Sequence, residues 1–393
     1  MLHYDYLIIG GGMTADAAVS TLAAGDPQGS IGLVSAESDP PYDRPPLTKG
    51  LWKDQELGSV WRETARAGAT LHLDRWVKRL DVDQKQVVDD EGQVYAFGKL
   101  LLATGGRPRR LPFDENEEII YYRTLADYRR VAELAKEKKR FAVIGGGFIG
   151  SELAAALAMN DNEVAMLFPE QAISALRFPQ DLAGFLTEYY AEKGIAVHTG
   201  MRVTNLGKEG DEYILEGEDG REFRADVVVA GIGIQANTRL AEDAGLAVDD
   251  GIVVDRSLRT SATDIYAAGD VAAFYDPVLD KRRRVEHEDN ALTMGKVAGQ
   301  SMAGEPVRYN HSPFFYSDLF DLGYEAVGEL DSHLQTVADW RDEFRKGVIY
   351  YLQNGRVRGV LLWNVWGQVD AARQLIADAE AFESEDLKGR LPE

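Results

Sequence analysis

The 393-residue sequence predicts an α/β protein built on two copies of one strand–turn–helix unit, with a smaller α+β region after them. The first copy places Gly10-Gly11-Gly12-Met13-Thr14-Ala15 after the apolar run Tyr6-Leu7-Ile8-Ile9. The second places Gly145-Gly146-Gly147-Phe148-Ile149-Gly150 after Phe141-Ala142-Val143-Ile144. Glycines in such a turn let backbone N–H groups approach a pyrophosphate at a helix N-terminus. The two turns therefore predict two Rossmann-like dinucleotide-binding domains in one chain.

Length and composition are those of a soluble globular protein. The hydrophobic content is 45% and the charged content 27%, and the length suits two or three domains. No apolar stretch approaches the roughly 20 residues that span a bilayer. The first residues, Met1-Leu2-His3-Tyr4-Asp5, run straight into a strand and leave no room for a signal peptide. The sequence therefore predicts a cytoplasmic protein.

The chain contains no cysteine, which excludes a disulfide relay, an iron–sulfur cluster and a thiolate zinc site. Its six histidines are scattered and show no metal-ligand spacing. Redox chemistry must then belong to bound organic cofactors. Two dinucleotide sites suit a flavin and a nicotinamide that pass electrons between them.

The formal charge of −22 argues against nucleic acid or an anionic membrane as a partner, since both would be repelled. It also disfavours an acidic ferredoxin, which would need a local basic patch. Arg282-Arg283-Arg284 and the group Arg107, Arg109 and Arg110 are the candidates. The alternative for each is a solvated or ion-paired surface charge.

The remaining elements follow in order along the chain. Ile31–Ser35 is predicted as the second strand of the first unit, and the connection Pro40–Lys49 is too rich in proline for a helix. Further strands are predicted at Thr70–Leu73, Lys99–Ala103, Glu163–Phe168, Ala225–Ala230 and Ser261–Ala268, with a helix at Glu133–Lys139.

The character of the sequence changes after about residue 306. Gly347–Leu352 and Arg356–Leu362, joined by Asn354-Gly355, predict a type I′ hairpin. Val369–Ala379 is predicted as a helix, and the last dozen residues as frayed. The expected domains are 1–112 with 235–305, then 113–234, and a C-terminal α+β domain over 306–393.

Two glutamates follow the second strands of the two units. Glu37 can accept hydrogen bonds from a ribose, the alternative being a solvated loop charge. Glu170 occupies the same place in the second unit, where its carboxylate would repel a ribose 2′-phosphate. No arginine follows it immediately, so the sequence predicts NADH rather than NADPH.

Four other residues carry candidate chemistry. Lys49 and Glu152 are candidates for the reaction centre, although alone they suit a surface charge and helix-terminus electrostatics. Asp270, after a glycine at a strand end, suits a ribityl hydroxyl. His287 could be an ordinary helix-start residue.

The chain resembles the ferredoxin-reductase-like flavoproteins, and within them the bacterial relatives of apoptosis-inducing factor. Their glutathione-reductase-like fold has two Rossmann-like domains and a C-terminal α+β domain. The motifs that carry the resemblance are Arg44–Lys49, Ala103–Gly106, Gly145–Glu152, Ala268–Asp270, Arg282–Glu286, Ser317-Asp318, Gly323–Ala326 and Leu362–Asn364.

The resemblance implies two cofactors and their residues. For FAD it implies Gly10, Gly12, Met13, Thr14, Glu37, Arg44, Lys49, Val77, Arg123, Asp270, His287 and Glu288, with Tyr316 near the flavin. For NADH it implies Gly147, Phe148, Ile149, Glu170, Gly233 and Glu286. In these proteins a lysine and a glutamate matching Lys49 and Glu152 lie paired beside the isoalloxazine.

Three positions depart from the family pattern. Ala36 stands where relatives usually place an acid, so ribose binding rests on Glu37. Tyr316 replaces a tryptophan. Leu176 falls where the apoptosis factor has a lysine toward NADH, with Arg177 next to it as a substitute.

The implied function is hydride transfer from NADH to FAD, and the resemblance leaves two alternatives for the second half of the reaction. In the first, the electrons pass to a small carrier such as a ferredoxin or rubredoxin, or to a quinone-like acceptor. In the second, a long-lived charge-transfer complex acts as a redox signal. The corresponding oligomeric state is a monomer or a redox-dependent homodimer.

Overall fold

The structure is a computed structural model that describes residues 1–114, 118–305, 307–378 and 380–391. Three positions used in the predictions lie outside these residues: Pro306 at the expected start of the third domain, Ala379 at the expected end of a helix, and Glu393.

The helices of the described residues are α1 Met13–Gly25, α2 Leu125–Lys136, α3 Phe148–Met159, α4 Gln180–Glu192, α5 Arg239–Asp243, α6 Glu288–Ala303, α7 Val369–Ala377 and α8 Ser384–Leu387. Short 3₁₀ turns cover Pro45–Thr48, Gly50–Trp52, Leu57–Val60 and Gly269–Val271. The strands are β1 Leu2–Ile9, β2 Ile31–Val34, β3 Ala69–His72, β4 Val77–Asp81, β5 Gln86–Asp89, β6 Val94–Leu102, β7 Gly106–Pro108, β8 Ile120–Tyr121, β9 Arg140–Ile144, β10 Glu163–Leu167, β11 Ala196–His198, β12 Val203–Glu209, β13 Glu212–Gly217, β14 Glu222–Ala225, β15 Val227–Ala230, β16 Ile234–Ala236, β17 Ile252–Val253, β18 Ile265–Ala267, β19 Ala272–Asp276, β20 Lys281–Arg283, β21 Phe314–Leu319, β22 Leu322–Gly328, β23 Gln335–Asp342, β24 Lys346–Gln353 and β25 Arg356–Trp363.

The chain divides into two compact units. Unit 1 comprises Met1–Arg44, Glu56–Arg107 and Gln235–Pro313, and unit 2 comprises Pro45–Gln55, Pro108–Ile234 and Phe314–Glu393. The expected boundaries of three domains stay a prediction.

Unit 1 contains a sheet in the order β3-β2-β1-β6-β5-β4, with β18 also paired to β6. β1 runs parallel to β2 and to β6, with Ile8 opposite Leu33 and Leu101. Helices α1 and α6 pack closely, because a Cβ on Gly295 would lie only 2.4 Å from the Thr14 carbonyl oxygen. The carboxyl ends of the parallel strands meet at one edge, which is where ligands bind in such sheets.

Unit 2 contains a parallel sheet in the order β11-β10-β9-β15-β8. A small antiparallel sheet, β12-β13-β14, follows the chain after it. Strand β9 leads through the second glycine turn into α3, whose residues 150–157 are buried. A helix that is apolar on all sides belongs in a core.

The C-terminal part of unit 2 is an antiparallel sheet in the order β21-β22-β25-β24-β23. Its β24–β25 hairpin turns at Asn354 and Gly355, whose φ angles are 52° and 77°. Two positive φ angles are the type I′ geometry, so the predicted hairpin is confirmed. Helix α7 packs on β22 and β25.

Several predicted elements differ in extent. The helix expected at Glu133–Lys139 begins at Leu125, because Thr124 and Asp127 form a capping box, and it ends at Lys136. The strand expected at 225–230 is divided into β14 and β15 at Asp226, whose carboxylate pairs with Arg140 at 2.6 Å. The strand expected at 261–268 is confined to β18 after Asp264, which has a φ of 65°.

Fraying of the last dozen residues is wrong for Ser384–Leu387. These residues form α8, and Leu387 is fully buried. Burial of that side chain holds the turn against the C-terminal sheet, which α8 contacts at β23.

Candidate functional site

The first glycine turn of unit 1 forms an open cradle before helix α1. Gly10 has a φ of 125°, and a Cβ there would lie 2.1 Å from the Ala103 carbonyl oxygen, so only glycine fits. Gly12 is the N-cap, and a Cβ on it would meet no described atom within 4 Å. The first N–H groups of a helix need acceptors outside it. The turn therefore presents donors and free space for an anion such as a pyrophosphate.

Glu37 is held by two neighbours in unit 1. The Tyr42 hydroxyl donates to its Oε2 at 2.7 Å, and the Arg44 guanidinium donates to its Oε1. Burial opposes the charge of Arg44, but Tyr42 and Glu37 outweigh it and keep the pKa of Arg44 above its usual value. Each carboxylate oxygen has a second lone pair, so Glu37 can still accept from a ribose hydroxyl.

A pocket of about 490 Å³ lies at the same edge of the unit 1 sheet. Gly10, Ala36, Val77 and Arg107 are among its lining residues. Met13 and Thr14 are buried in the first turn of α1, and a Cβ on Gly269, beside Asp270, would lie 2.2 Å from the Thr14 hydroxyl oxygen.

Three further predicted residues lie at the start of α6 in unit 1. His287 is the N-cap and Glu288 the first helical residue. Glu286, expected at NADH, pairs with Arg284 at 2.5 Å.

The second glycine turn, in unit 2, repeats this geometry. Gly145 has a φ of 120°, and a Cβ there would lie 2.5 Å from the Gly231 carbonyl oxygen. Gly147 is the N-cap of α3, and a Cβ on it would meet no described atom within 4 Å. The start of α3 is therefore a second open anion cradle.

This cradle opens into a pocket of about 830 Å³. The structure brings together five of the six residues predicted for NADH as its lining, Gly147, Phe148, Ile149, Glu170 and Gly233. The sixth, Glu286, belongs to unit 1.

Arginines also line this pocket. The Arg177 guanidinium lies 4.3 Å from the centre of the Phe148 ring, whereas its neighbour Leu176 is 58% exposed. Arg109 and Arg202 were missed as pocket residues. Arg109 was expected only in a surface patch, and Arg202 reaches the pocket through the fold rather than through proximity to Glu170 in sequence.

Lys49 and Glu152 form a buried ion pair in unit 2. Lys49 Nζ lies 2.6 Å from Glu152 Oε2, and the side chains are 13% and 4% exposed. The expected pairing is therefore present. Lys49 Nζ also lies 5.3 Å from the centre of the Tyr316 ring. Arg123 and Tyr316, both expected near the flavin, are likewise in unit 2.

The segment that carries Lys49 is anchored by hydrogen bonds to Leu47. The Trp52 indole N–H donates to the Leu47 carbonyl oxygen at 2.7 Å, and the Tyr122 hydroxyl donates to the same oxygen. The Tyr128 hydroxyl donates to the Leu51 carbonyl oxygen at 3.1 Å. These bonds hold the segment in two successive 3₁₀ turns.

Two hydroxyls complete the surroundings of Glu152, and both were missed. Thr48 Oγ1 donates to Glu152 Oε2 at 2.5 Å, and Ser317 Oγ donates to Oε1 at 2.6 Å. Both residues stood inside motifs already recognised, but sequence does not show which side chain turns inward.

The phenols around Glu152 stay protonated. Burial first, and the nearby Glu152 carboxylate second, raise the pKa of Tyr190 and of Tyr324 well above that of free tyrosine. The Tyr190 hydroxyl donates to the Ser151 carbonyl oxygen at 3.1 Å. Near Lys49 and Glu152, these two phenols therefore serve as neutral donors.

The arginines considered for a basic patch are engaged inside unit 1 where they follow β19. Arg282 donates to the Ala273 carbonyl oxygen at 2.7 Å, Arg283 pairs with Asp276 at 3.0 Å, and Arg284 pairs with Glu286. The ion-paired interpretation therefore holds for Arg283 and Arg284. Among the helices that the structure describes, none combines the length and apolar content required to cross a bilayer.

Comparison with known proteins agrees with these features. The family model for pyridine nucleotide-disulphide oxidoreductase matches residues 4–295. The model for the mitochondrion-associated C-terminal domain of apoptosis-inducing factor matches 298–342 and 338–378.

Individual relatives match along nearly the whole chain. Mitochondrial apoptosis-inducing factor 1 of Dictyostelium discoideum is 36% identical, over 97% of this chain and 80% of that protein. The ferredoxin–NAD(+) reductase component of the anthranilate 1,2-dioxygenase system of Burkholderia cepacia is 32% identical, over 95% and 94%.

A solved structure is similar in fold as well. A chain of the covalent putidaredoxin reductase–putidaredoxin complex superposes with a TM-score of 0.91 at 29% identity, covering 98% of this chain and 96% of that one. The resemblance seen in the motifs is confirmed. The protein belongs to the pyridine nucleotide-disulphide oxidoreductases and is an FAD- and NAD(H)-dependent oxidoreductase with a C-terminal domain of the apoptosis-inducing-factor type.

Proposed function

We propose that the protein is an NADH-dependent flavin reductase that delivers electrons to an acceptor outside this chain. One observation carries the proposal: helix α3 has Gly147 at the mouth of the larger pocket and Glu152 about 6 Å further along, bound to Lys49. The same rigid element thus serves the nucleotide and the ion pair. A reductase needs this fixed relation between hydride donor and charged group.

FAD, when bound, accepts a hydride from NADH and releases the electrons onward. The residues proposed to hold it are Gly10, Gly12, Met13, Thr14, Glu37, Arg44, Val77, Arg123, Asp270, His287, Glu288 and Tyr316, with Lys49. The open cradle at Gly12 and the fixed carboxylate of Glu37 fit a dinucleotide with a ribose. Neither feature is explained by packing alone.

NADH is proposed to bind in the pocket of about 830 Å³. The N–H groups after Gly147 receive the pyrophosphate, and Glu170 accepts from the adenosine ribose. Glu170 would repel a 2′-phosphate, which favours NADH over NADPH. The Arg177 guanidinium beside Phe148 compensates for Leu176 by offering a cation in the same pocket.

Lys49 is the proposed catalytic residue, and Glu152 positions it. An ammonium held in a site largely closed to water stabilises the negative charge that builds up during reduction. Because Lys49 and Glu152 are mostly buried, water screens this charge little.

The acceptor has two candidate classes. The chain has no cysteine, so electrons cannot pass to a redox disulfide of its own. Similarity to a ferredoxin–NAD(+) reductase component and to the putidaredoxin reductase complex favours a small carrier such as a ferredoxin or rubredoxin. Similarity to apoptosis-inducing factor and the matching C-terminal model favour a redox sensor that changes from monomer to homodimer. The proposal places either activity in the cytoplasm.

The test is an anaerobic titration of the FAD-loaded protein with NADH, and separately with NADPH. We expect NADH to bleach the flavin band and NADPH to do so far more slowly. If NADH leaves the flavin oxidised, the proposed function is wrong. Lys49→Ala should slow bleaching on the order of 10²-fold. Lys53→Ala, at a 43% exposed lysine of the same segment, is the control and should not.

Acceptor addition then separates the two classes. Rapid reoxidation by added ferredoxin or rubredoxin supports the carrier reductase. A persistent long-wavelength band in air, with a shift to dimer on gel filtration, supports the sensor.

A further inference from the structure

The carboxylate of Glu152 is fixed at both oxygens by side chains from separate parts of the chain. Thr48 Oγ1 and Lys49 Nζ contact Oε2 at 2.5 and 2.6 Å, and Ser317 Oγ contacts Oε1 at 2.6 Å. Thr48, Glu152 and Ser317 are 7%, 4% and 0% exposed. Water therefore does not substitute readily for a lost donor.

Two hydroxyls on opposite oxygens remove a freedom that the carboxylate otherwise has. The last torsion of a glutamate is broad, so a carboxylate bound at one oxygen only can rotate. Lysine has a flexible four-carbon stem, and its ammonium follows the acceptor that holds it. A rotated Glu152 would displace Lys49 Nζ.

Ser317 is itself fixed by the C-terminal sheet. It lies on β21 opposite Tyr324 of β22, and the Tyr324 hydroxyl hydrogen-bonds with that of Ser317. The Tyr324 ring stacks on Trp363 with ring centres 5.9 Å apart, and both side chains are buried. The position of the Ser317 hydroxyl is thus set by the core of the C-terminal domain.

We propose that Thr48 and Ser317 are positioning residues for the reductive half-reaction, acting on Lys49 through Glu152. The C-terminal domain, through Ser317, thereby sets the rate at which NADH reduces the flavin. This inference rests on the proposed function, in which Lys49 stabilises the charge formed on reduction.

The test compares Thr48→Val and Ser317→Ala with Thr48→Ser, which keeps the hydroxyl. Ser59→Ala, at an exposed serine, is the control. Stopped-flow flavin reduction at saturating NADH should slow on the order of ten-fold in Thr48→Val and in Ser317→Ala, the size of one hydrogen bond to a charged group. Their flavin midpoint potential should become more negative, and the dissociation constant for NADH should stay at the wild-type value. Thr48→Ser and Ser59→Ala should match the wild type in all three measurements.

The outcomes separate this inference from the proposed function. If Lys49→Met is slow while Thr48→Val and Ser317→Ala keep the wild-type rate and potential, the inference is wrong and the function stands. If Lys49→Met also matches the wild type, both are wrong. If the two hydroxyl variants lower only the thermal midpoint, their role is structural and the inference is overturned.

Discussion

Lys49→Met, Glu152→Gln and the double variant are expected to separate stability from catalysis. The paired atoms lie 2.6 Å apart, and the side chains are 13% and 4% exposed. Removing one member of a buried pair strands the other charge and costs about 3–5 kcal/mol of unfolding free energy. We expect Lys49→Met near the lower end of that range, since Thr48 and Ser317 still donate to Glu152.

The double variant leaves no charge unpaired at this position. Its loss of unfolding free energy should therefore be smaller than the sum of the single losses by roughly 2 kcal/mol. Catalysis should not recover with it. Without the Lys49 ammonium, flavin reduction should stay on the order of 10²-fold slower in both Lys49→Met and the double variant.

Urea unfolding followed by far-UV circular dichroism measures the first quantity, and stopped-flow absorbance of the flavin band measures the second. Additive losses of stability would refute the coupling of the pair. A double variant that regains the wild-type rate would refute the role of the lysine charge.

Three further results are expected. Glu170→Gln should raise kcat/KM for NADPH on the order of ten-fold by removing like-charge repulsion, and an unchanged ratio of NADH to NADPH activity in steady-state assays would contradict the role of Glu170. Gly10→Ala forces a Cβ to within 2.1 Å of the Ala103 oxygen at a φ of 125° and should prevent stable folding. Gly12→Ala meets open space, so it should fold normally by circular dichroism yet lose FAD more readily on dialysis. Burial and the hydrogen bond to Asp26 raise the pKa of Tyr6 to about 12. Because the folded state holds this proton more tightly than the unfolded state, the stability it confers is present below about pH 10 and is lost as the pH rises toward 12. Tyr6→Phe should flatten this alkaline fall in urea midpoints, and an unaltered slope would show that Tyr6 is not its source.

Local patterns were sufficient to predict the architecture. Apolar runs ending in glycine predicted both strand–turn–helix units, because the strand core and the turn are encoded within about fifteen residues. Asn354-Gly355 predicted its hairpin for the same reason. The early start of α2 was also readable, since Thr124 and Asp127 have the spacing of a capping box.

The contacts of the candidate site could not be predicted from local sequence. Glu152 alone suits helix-terminus electrostatics, and only the fold brings Lys49, Thr48 and Ser317 to it. The resemblance supplied Lys49 and Glu152 but gave no hydroxyl partners.

The cluster around Glu152 also bears on how the protein is made. Thr48 is 104 residues from Glu152 in sequence, and Ser317 is 165 residues away on the other side. Contacts between such distant segments form late and slowly, because the loops between them must close first. During synthesis, therefore, the glycine turns emerge from the ribosome well before Ser317. A nascent chain acquires its nucleotide-binding turns before its carboxylate is fixed, and full reductase activity awaits the C-terminal sheet.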